Sequence, residues 1–191
     1  MCSGGWAIAA GLLSLGLHRE ERVGILSNTL WPAAEHERIF VRDGVAHLID
    51  GAVYSSEIAF TKPDRRAFLT ALAAVGVPDP ARAVFVGDRL FDDVWGAHNA
   101  GLRAIHIPLS NIPVGQVGHT EGEPDASVTS LADVPAAVRT LGRVRAQAPR
   151  RPLLHLCALH EHATGLRFRY SRIHCMIVHV VLPPHREGSH G

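Results

Sequence analysis

The sequence predicts an α/β fold with a mostly parallel sheet covered by helices on both faces. Short β-branched runs alternate with amphipathic stretches of ten to fifteen residues, which is the grammar of strands joined by helical crossovers. Three of those runs lead into polar groups: Ser27-Asn28 after the first, Lys62 beyond the second, and Asp88 with Asp93 after the third. In a parallel sheet such ends share one edge, so residues distant in sequence can meet one ligand there.

Residues 1–20 hold apolar positions at Trp6, Ile8, Leu12, Leu13, Leu15 and Leu17 and are expected to form a glycine-interrupted helix. Val23 to Leu26 reads as a buried strand. Pro32 opens a new segment, and Ala33 to Val41 is expected to be helical, closed by Asp43-Gly44. Gly51 to Ser55 is the next strand. Lys62-Pro63-Asp64 follows, with Pro63 suited to a helix's first turn and Phe68, Leu69, Leu72 and Val75 as that helix's apolar face. Gly76, Pro78 and Pro80 stop it.

Ala83 to Val86 is a buried strand, and Gly87 permits a sharp turn after it. Asp88, Asp92 and Asp93 stand where a helix begins, with Val94, Trp95 and Ala97 on its apolar face and Gly101 as its C-cap. Asp92 and Asp93 also suit the positive N-terminus of a helix, a modest effect common to many helices. Asp88 precedes the helix and needs another reason to be there. Ala104 to Ile107 is a further strand. A long polar loop, Pro108 to Glu123, leads to Asp125-Ala126-Ser127, whose position suits the last strand. Ser130 with Asp133 resembles a capping box for a helix over Val134 to Leu141.

Composition sets the outer bounds. A chain of 191 residues buries one sizeable core plus an appendage. The formal net charge of +1 calls for no nucleic-acid partner and no acidic membrane surface. Cys2, Cys157 and Cys175 are odd in number and scattered, which makes no disulfide framework and fits a cytoplasmic, reducing setting. The longest apolar runs, Ala7 to Leu17 and Ile173 to Leu182, are too short to span a bilayer, and no signal-like segment opens the chain. Lys62 is the only lysine against eighteen arginines, so its compact ammonium has a reason to be kept.

From Arg143 onward the character changes: eight Arg, no Lys, two Glu and seven of the thirteen His. No periodicity links its parts, which include a β-branched run, Ile173 to Leu182, and residues 143–191 are expected to be a poorly specified tail with at most one helix or strand. His155, Cys157, His160, His162, His174, Cys175 and His179 include zinc-binding residue types, but no Cys-x-x-Cys pair joins them. An unselected C-terminus accounts better for the composition.

Hydroxyl, ammonium and paired carboxylates together suit a phosphate and Mg²⁺. Leu26-Ser27-Asn28, Lys62-Pro63 and Gly87-Asp88-x-x-x-x-Asp93, in that order, resemble the second, third and fourth motifs of the haloacid dehalogenase-like (HAD) hydrolases. Ser55-Ser56-Glu57 before the lysine and Gly96-Ala97 to Ala100-Gly101-Leu102 after the carboxylates agree with it. The resemblance covers roughly residues 23–141. It implies a Rossmann-like (HAD-like) core and a Mg²⁺-dependent phosphatase acting on a small phosphorylated metabolite. Ser27 would bind the transferring phosphoryl group, Asn28 would shape its site and Lys62 would offset its charge. Asp88 would ligate Mg²⁺, with Asp93 supporting the metal directly or through water.

One departure matters. Members of that family begin with a strand ending in Asp-x-Asp, which supplies the nucleophile and the general acid/base, and this chain has no Asp before Asp43. Asp125-x-Ser127 is no substitute, because Gly122-Glu123-Pro124 precedes it where an apolar strand is required. The resemblance therefore divides the chain into a remnant of the region after the cap (1–22), a partial core (23–142) and the tail (143–191). The expected core lacks its first strand and cap, leaves an unpaired sheet edge open to self-association, and is inactive alone. Two other readings stand beside this one. A non-catalytic phosphate- and Mg²⁺-binding module or gene remnant would keep the pocket without chemistry, and a dehalogenase would differ through the absent cap. A phosphorelay receiver would place its acidic pair ahead of the lysine, opposite to the order here.

Overall fold

A computed structural model describes residues 21–108, 121–147 and, by backbone alone, 174–181. The expected helix over residues 1–20, most of the loop after Pro108 and the His-rich run from His155 to His162 lie outside the described residues.

The described chain runs β1 (Glu21–Asn28), α1 (Ala33–Arg42), β2 (Gly51–Tyr54), α2 (Arg65–Ala74), β3 (Ala83–Gly87), a π-helical turn (Leu90–Trp95) leading into α3 (Gly96–Ala100), β4 (Arg103–His106), β5 (Ala126–Ser127), α4 (Val134–Gln147) and β6 (His174–Val181). The six strands form one sheet in the order β2-β1-β6-β3-β4-β5. β1 pairs parallel with β2, and β3, β4 and β5 pair parallel in succession. The result is the α/β, Rossmann-like layering that the alternation predicts.

Strand periodicity divides the core between the two faces. Leu26 and Phe85 point to one side, into a cluster with Phe68, Ala71 and Leu72 of α2 and with Val94 and Ala97. Val23, Ile25, Val84 and Val86 point to the other, against Phe40 of α1 and Val134 and Val138 of α4. Phe68 meets Phe85 edge to face at a centroid distance of 5.0 Å, a geometry worth about 0.5–1.5 kcal/mol beyond area burial. Among the described residues no helix is long and apolar enough to cross a membrane.

Two local expectations need correction. Pro63 lies ahead of α2 and not within its first turn: Asp64 is the N-cap, its carboxylate accepting from the Arg66 N–H at 2.9 Å, and the Lys62–Pro63 peptide is cis. Asp64 wins the cap because its side-chain oxygen can satisfy an orphan helical N–H, which proline cannot do. Trp95 is not part of a buried face; it is 38% exposed and stacks on Phe91 at 5.1 Å. Gly101 does end α3, at φ +91°, a left-handed conformation that favours glycine.

The larger correction concerns the expected gap in the sheet. No parallel first strand is present between β1 and β3 among the described residues, yet the slot is filled. β6, from the stretch expected to be poorly specified, enters it antiparallel and pairs with both neighbours. Its register runs Glu21↔Val181 to Asn28↔His174 against β1 and Ala83↔Val180 to Val86↔Ile177 against β3. The inner edges of β1 and β3 are therefore paired and not open. α4 likewise continues to Gln147, beyond the expected end at Leu141.

Candidate active site

The ends of β1 and β3 lie on the same edge of the sheet, because both run antiparallel to β6. Ile25 and Val86 share the partner Ile177, so Ser27 and Asp88 each stand two residues further toward that edge. Four buried polar or charged side chains from three segments gather around it: Ser27, Lys62, Asp88 and Asp93.

β1 hands its end residue directly to the lysine segment. The Asn28 amide Nδ2 donates to the Lys62 carbonyl at 3.0 Å, and the Lys62 N–H donates to Asn28 Oδ1 at 2.8 Å. One side-chain amide thus satisfies both backbone groups of Lys62, as a neighbouring strand would. Next to it, the Thr29 N–H donates to Ser55 Oγ at 2.8 Å while Ser55 Oγ–H donates to the Thr29 carbonyl at 3.0 Å. These reciprocal pairs fix the loop after β2 against the end of β1.

Held in this way, Lys62 is 3% exposed, and its Nζ reaches Asp93 Oδ1 at 2.7 Å over the Phe85 ring, 5.3 Å from the centroid. The other Asp93 oxygen accepts from the Arg89 N–H at 2.9 Å. Both Asp93 oxygens are therefore engaged. Burial still pushes this carboxyl up to about 6: desolvation is the largest cause, Lys62 opposes it, and the neighbouring charge of Asp88 adds to it.

The π-helical turn makes two consecutive carboxylates face inward. The Arg89 carbonyl accepts from the N–H groups of both Asp93 (3.1 Å) and Val94 (3.2 Å), which widens the turn and leaves Asp92 and Asp93 both buried. Asp92 is matched by Arg89, whose Nη1 lies 3.1 Å from its Oδ2, with both side chains nearly inaccessible. Sequence reasoning missed Arg89 as a site residue. Its position directly after Gly87-Asp88, three residues before an acid, was the available signal. His106, at the end of β4, was missed too; its Nε2 lies 3.2 Å from the Asp88 carbonyl.

Asp88 itself is different. It is 6% exposed, and its Oδ1 is shielded from solvent with no hydrogen-bond partner. A buried carboxylate oxygen without a donor is costly unless something positive meets it. The oxygen donor and its charge fit a hard cation such as Mg²⁺, which takes one or two carboxylates and completes its shell with water and substrate. Among the described residues no group of three or more His, Cys, Asp or Glu converges as a full cage. The fit is thus one open carboxylate oxygen on Asp88, while both oxygens of Asp93 already accept hydrogen bonds.

The segments that build this site are similar in sequence to known proteins. A family model described as HAD-hydrolase-like matches residues 59–134, the segment that contains Lys62, Asp88 and Asp93. A glyceraldehyde 3-phosphate phosphatase from Methanothermobacter thermautotrophicus is 34% identical over 113 residues, covering 59% of this chain and 48% of that protein. A phosphoserine phosphatase from Thermus thermophilus is 34% identical over 126 residues, covering 66% of this chain and 48% of that one. The chain spans about half the length of these curated relatives. A HAD phosphatase structure from Thermococcus onnurineus aligns with TM-score 0.49 at 24% identity, covering 69% of this chain and 54% of that chain.

Proposed function

We propose, from the premise that the chain belongs to the HAD-like hydrolases, that its site is of the Mg²⁺-dependent phosphatase type and serves a small phosphorylated metabolite. The observation that carries this reading is the open, buried Asp88 oxygen beside the Lys62–Asp93 pair at the sheet edge. The relatives' names support the phosphate half of it, since both are phosphatases of small phosphorylated compounds.

Each residue's part follows from its chemistry. Ser27, buried at the end of β1, brings a hydroxyl, a group type that can donate to phosphoryl oxygens. Lys62, already desolvated and oriented by Asp93, supplies a fixed positive charge where phosphate charge would gather. Asn28 shapes the site by holding the Lys62 backbone with its amide donor and its carbonyl acceptor. Asp88 would hold Mg²⁺, which when bound supplies Lewis-acid polarisation of a phosphoryl oxygen. Arg89 balances Asp92, so the two acids beside Asp88 are each paired with a cation.

Among the described residues no carboxylate besides Asp88, Asp92 and Asp93 stands in this constellation to serve as a covalent nucleophile. Asp92 and Asp93 are buried in ion pairs, and the one open carboxylate, on Asp88, is the group this reading gives to Mg²⁺. Positioning and charge stabilisation alone do not replace covalent catalysis. The polypeptide as it stands is therefore expected to bind phosphate with Mg²⁺ and not to turn over. That same observation favours a second reading, a module that binds without chemistry.

The test is an aryl phosphate assay with Mg²⁺ alongside calorimetric titration of Mg²⁺ in inorganic phosphate. No hydrolysis, together with Mg²⁺ uptake that Asp88→Asn abolishes, is the expected result. Mg²⁺-dependent hydrolysis that disappears in Asp88→Asn would overturn the claim of inactivity; Mg²⁺ uptake unchanged by that substitution would remove Asp88 from the metal.

A further inference from the structure

β6 is the single antiparallel member of the described sheet, and it occupies the central position. Without it, β1 and β3 would each present an unpaired edge in the middle of the molecule, at the level of the fully buried Ile25, Leu26 and Phe85. Unpaired backbone groups at that depth are expensive, and an open edge there templates association with another chain. The sequence 174–181, His-Cys-Met-Ile-Val-His-Val-Val, is rich in the β-branched residues that suit a strand buried between two neighbours.

We propose that residues 174–181 are an internal plug: the chain's own C-terminal segment fills a strand-acceptor slot between β1 and β3, and thereby keeps the molecule monomeric. The inference is independent of the phosphatase reading, since it rests on pairing and register alone. The polarity of the plug has a consequence at the site. Because it runs antiparallel, its first residues arrive at the edge where β1 and β3 end, with His174 in register with Asn28 and Cys175 with Ser27. The backbone position beside Ser27 is taken by this strand, so no strand from another polypeptide can end there while the plug is in place.

A double set of engineered cross-links tests the slot assignment. His179 has Val23 as its partner on one side and Val84 on the other. In a full-length background with Cys2→Ser, Cys157→Ser and Cys175→Ser, His179→Cys is combined with Val23→Cys and, separately, with Val84→Cys. Partner Cα atoms in antiparallel strands lie about 4.5–5.5 Å apart, within disulfide range. Both pairs are expected to oxidise to an intramolecular disulfide at monomer mass on a non-reducing gel. A link formed by one pair only, by neither, or at dimer mass would overturn the proposal, the last by showing that the strand is exchanged between copies. A second measurement is independent of the cysteines: a chain ending at residue 170 is expected to leave the monomer peak in size-exclusion chromatography and form larger species. An unchanged monomer peak and melting temperature for that chain would also overturn the plug.

Discussion

Lys62 carries its charge into an interior site where the Asp93 carboxylate repays lost hydration. Removing one partner of such a pair strands the other. Lys62→Met is therefore expected to cost about 3–5 kcal/mol in urea unfolding, whereas the double variant Lys62→Met/Asp93→Leu should regain most of that loss; equal damage in both variants would show that the pair is not coupled. His36 is the other buried titratable group of interest. It stacks on Tyr54 at 4.5 Å and shares a hydrogen bond with Thr29 Oγ1 at 3.1 Å, and burial lowers its pKa. A base whose folded pKa is depressed binds its proton more readily when unfolded. Its stabilising contribution is complete above the unfolded value of about 6.5 and falls as pH drops below it. His36→Phe is accordingly expected to flatten the fall in stability between pH 7 and 5, as read by thermal melts across that range. The residue scale was the most legible in the sequence: Ser27, Asn28, Lys62, Asp88 and Asp93 were recognisable as polar groups at strand ends. What sequence alone could not give was their pairing, because whether Asp93 meets a metal or Lys62 depends on side chains thirty-one residues apart.

The segment from β3 through α3 shows how element geometry sets the site. Three acids after a glycine predict a helix start, and a helix does follow, but the first turn is π-helical and delays the regular α3 until Gly96. No propensity distinguishes a π-turn from an α-turn; the difference comes from packing around Arg89, Asp92 and Asp93. Gly96 is required at the junction because a Cβ there would lie 2.8 and 2.9 Å from the Phe68 ring and 3.0 Å from Pro63 Cα. The backbone of Pro63 and the fully buried Phe68 leave little room to yield. Gly96→Ala is expected to destabilise by about 1–3 kcal/mol, with Phe68→Leu in the same chain restoring part of it; a melting temperature equal to that of the parent would show that α2 moves aside freely. Pro63 was misplaced for a related reason. Proline near a helix start suits several positions, and only the Asp64 side chain's hydrogen bond to Arg66 decides among them.

At the scale of the whole molecule, the alternation of strands and helices predicted the layered sheet, and the two apolar clusters follow from period-2 burial along β1 and β3. Phe85 lies at the centre of one cluster, so Phe85→Ala should cost about 3–5 kcal/mol; chemical denaturation that shows less than 1 kcal/mol would mean that the cluster closes over the gap. The place of β6 was not legible. Local pattern marks 173–182 as strand-like, but strand partners and direction are non-local choices that composition does not encode. The clasp between Asn28 and Lys62 spans thirty-four positions of the chain with two hydrogen bonds. It closes a loop containing α1 and β2, and so the end of β1 and the approach to α2 cannot fray separately. The amide proton of Lys62 thereby becomes a clock for that whole loop: its exchange with solvent deuterium should keep time with the opening of β1 and not with the faster breathing of the exposed turns on either side.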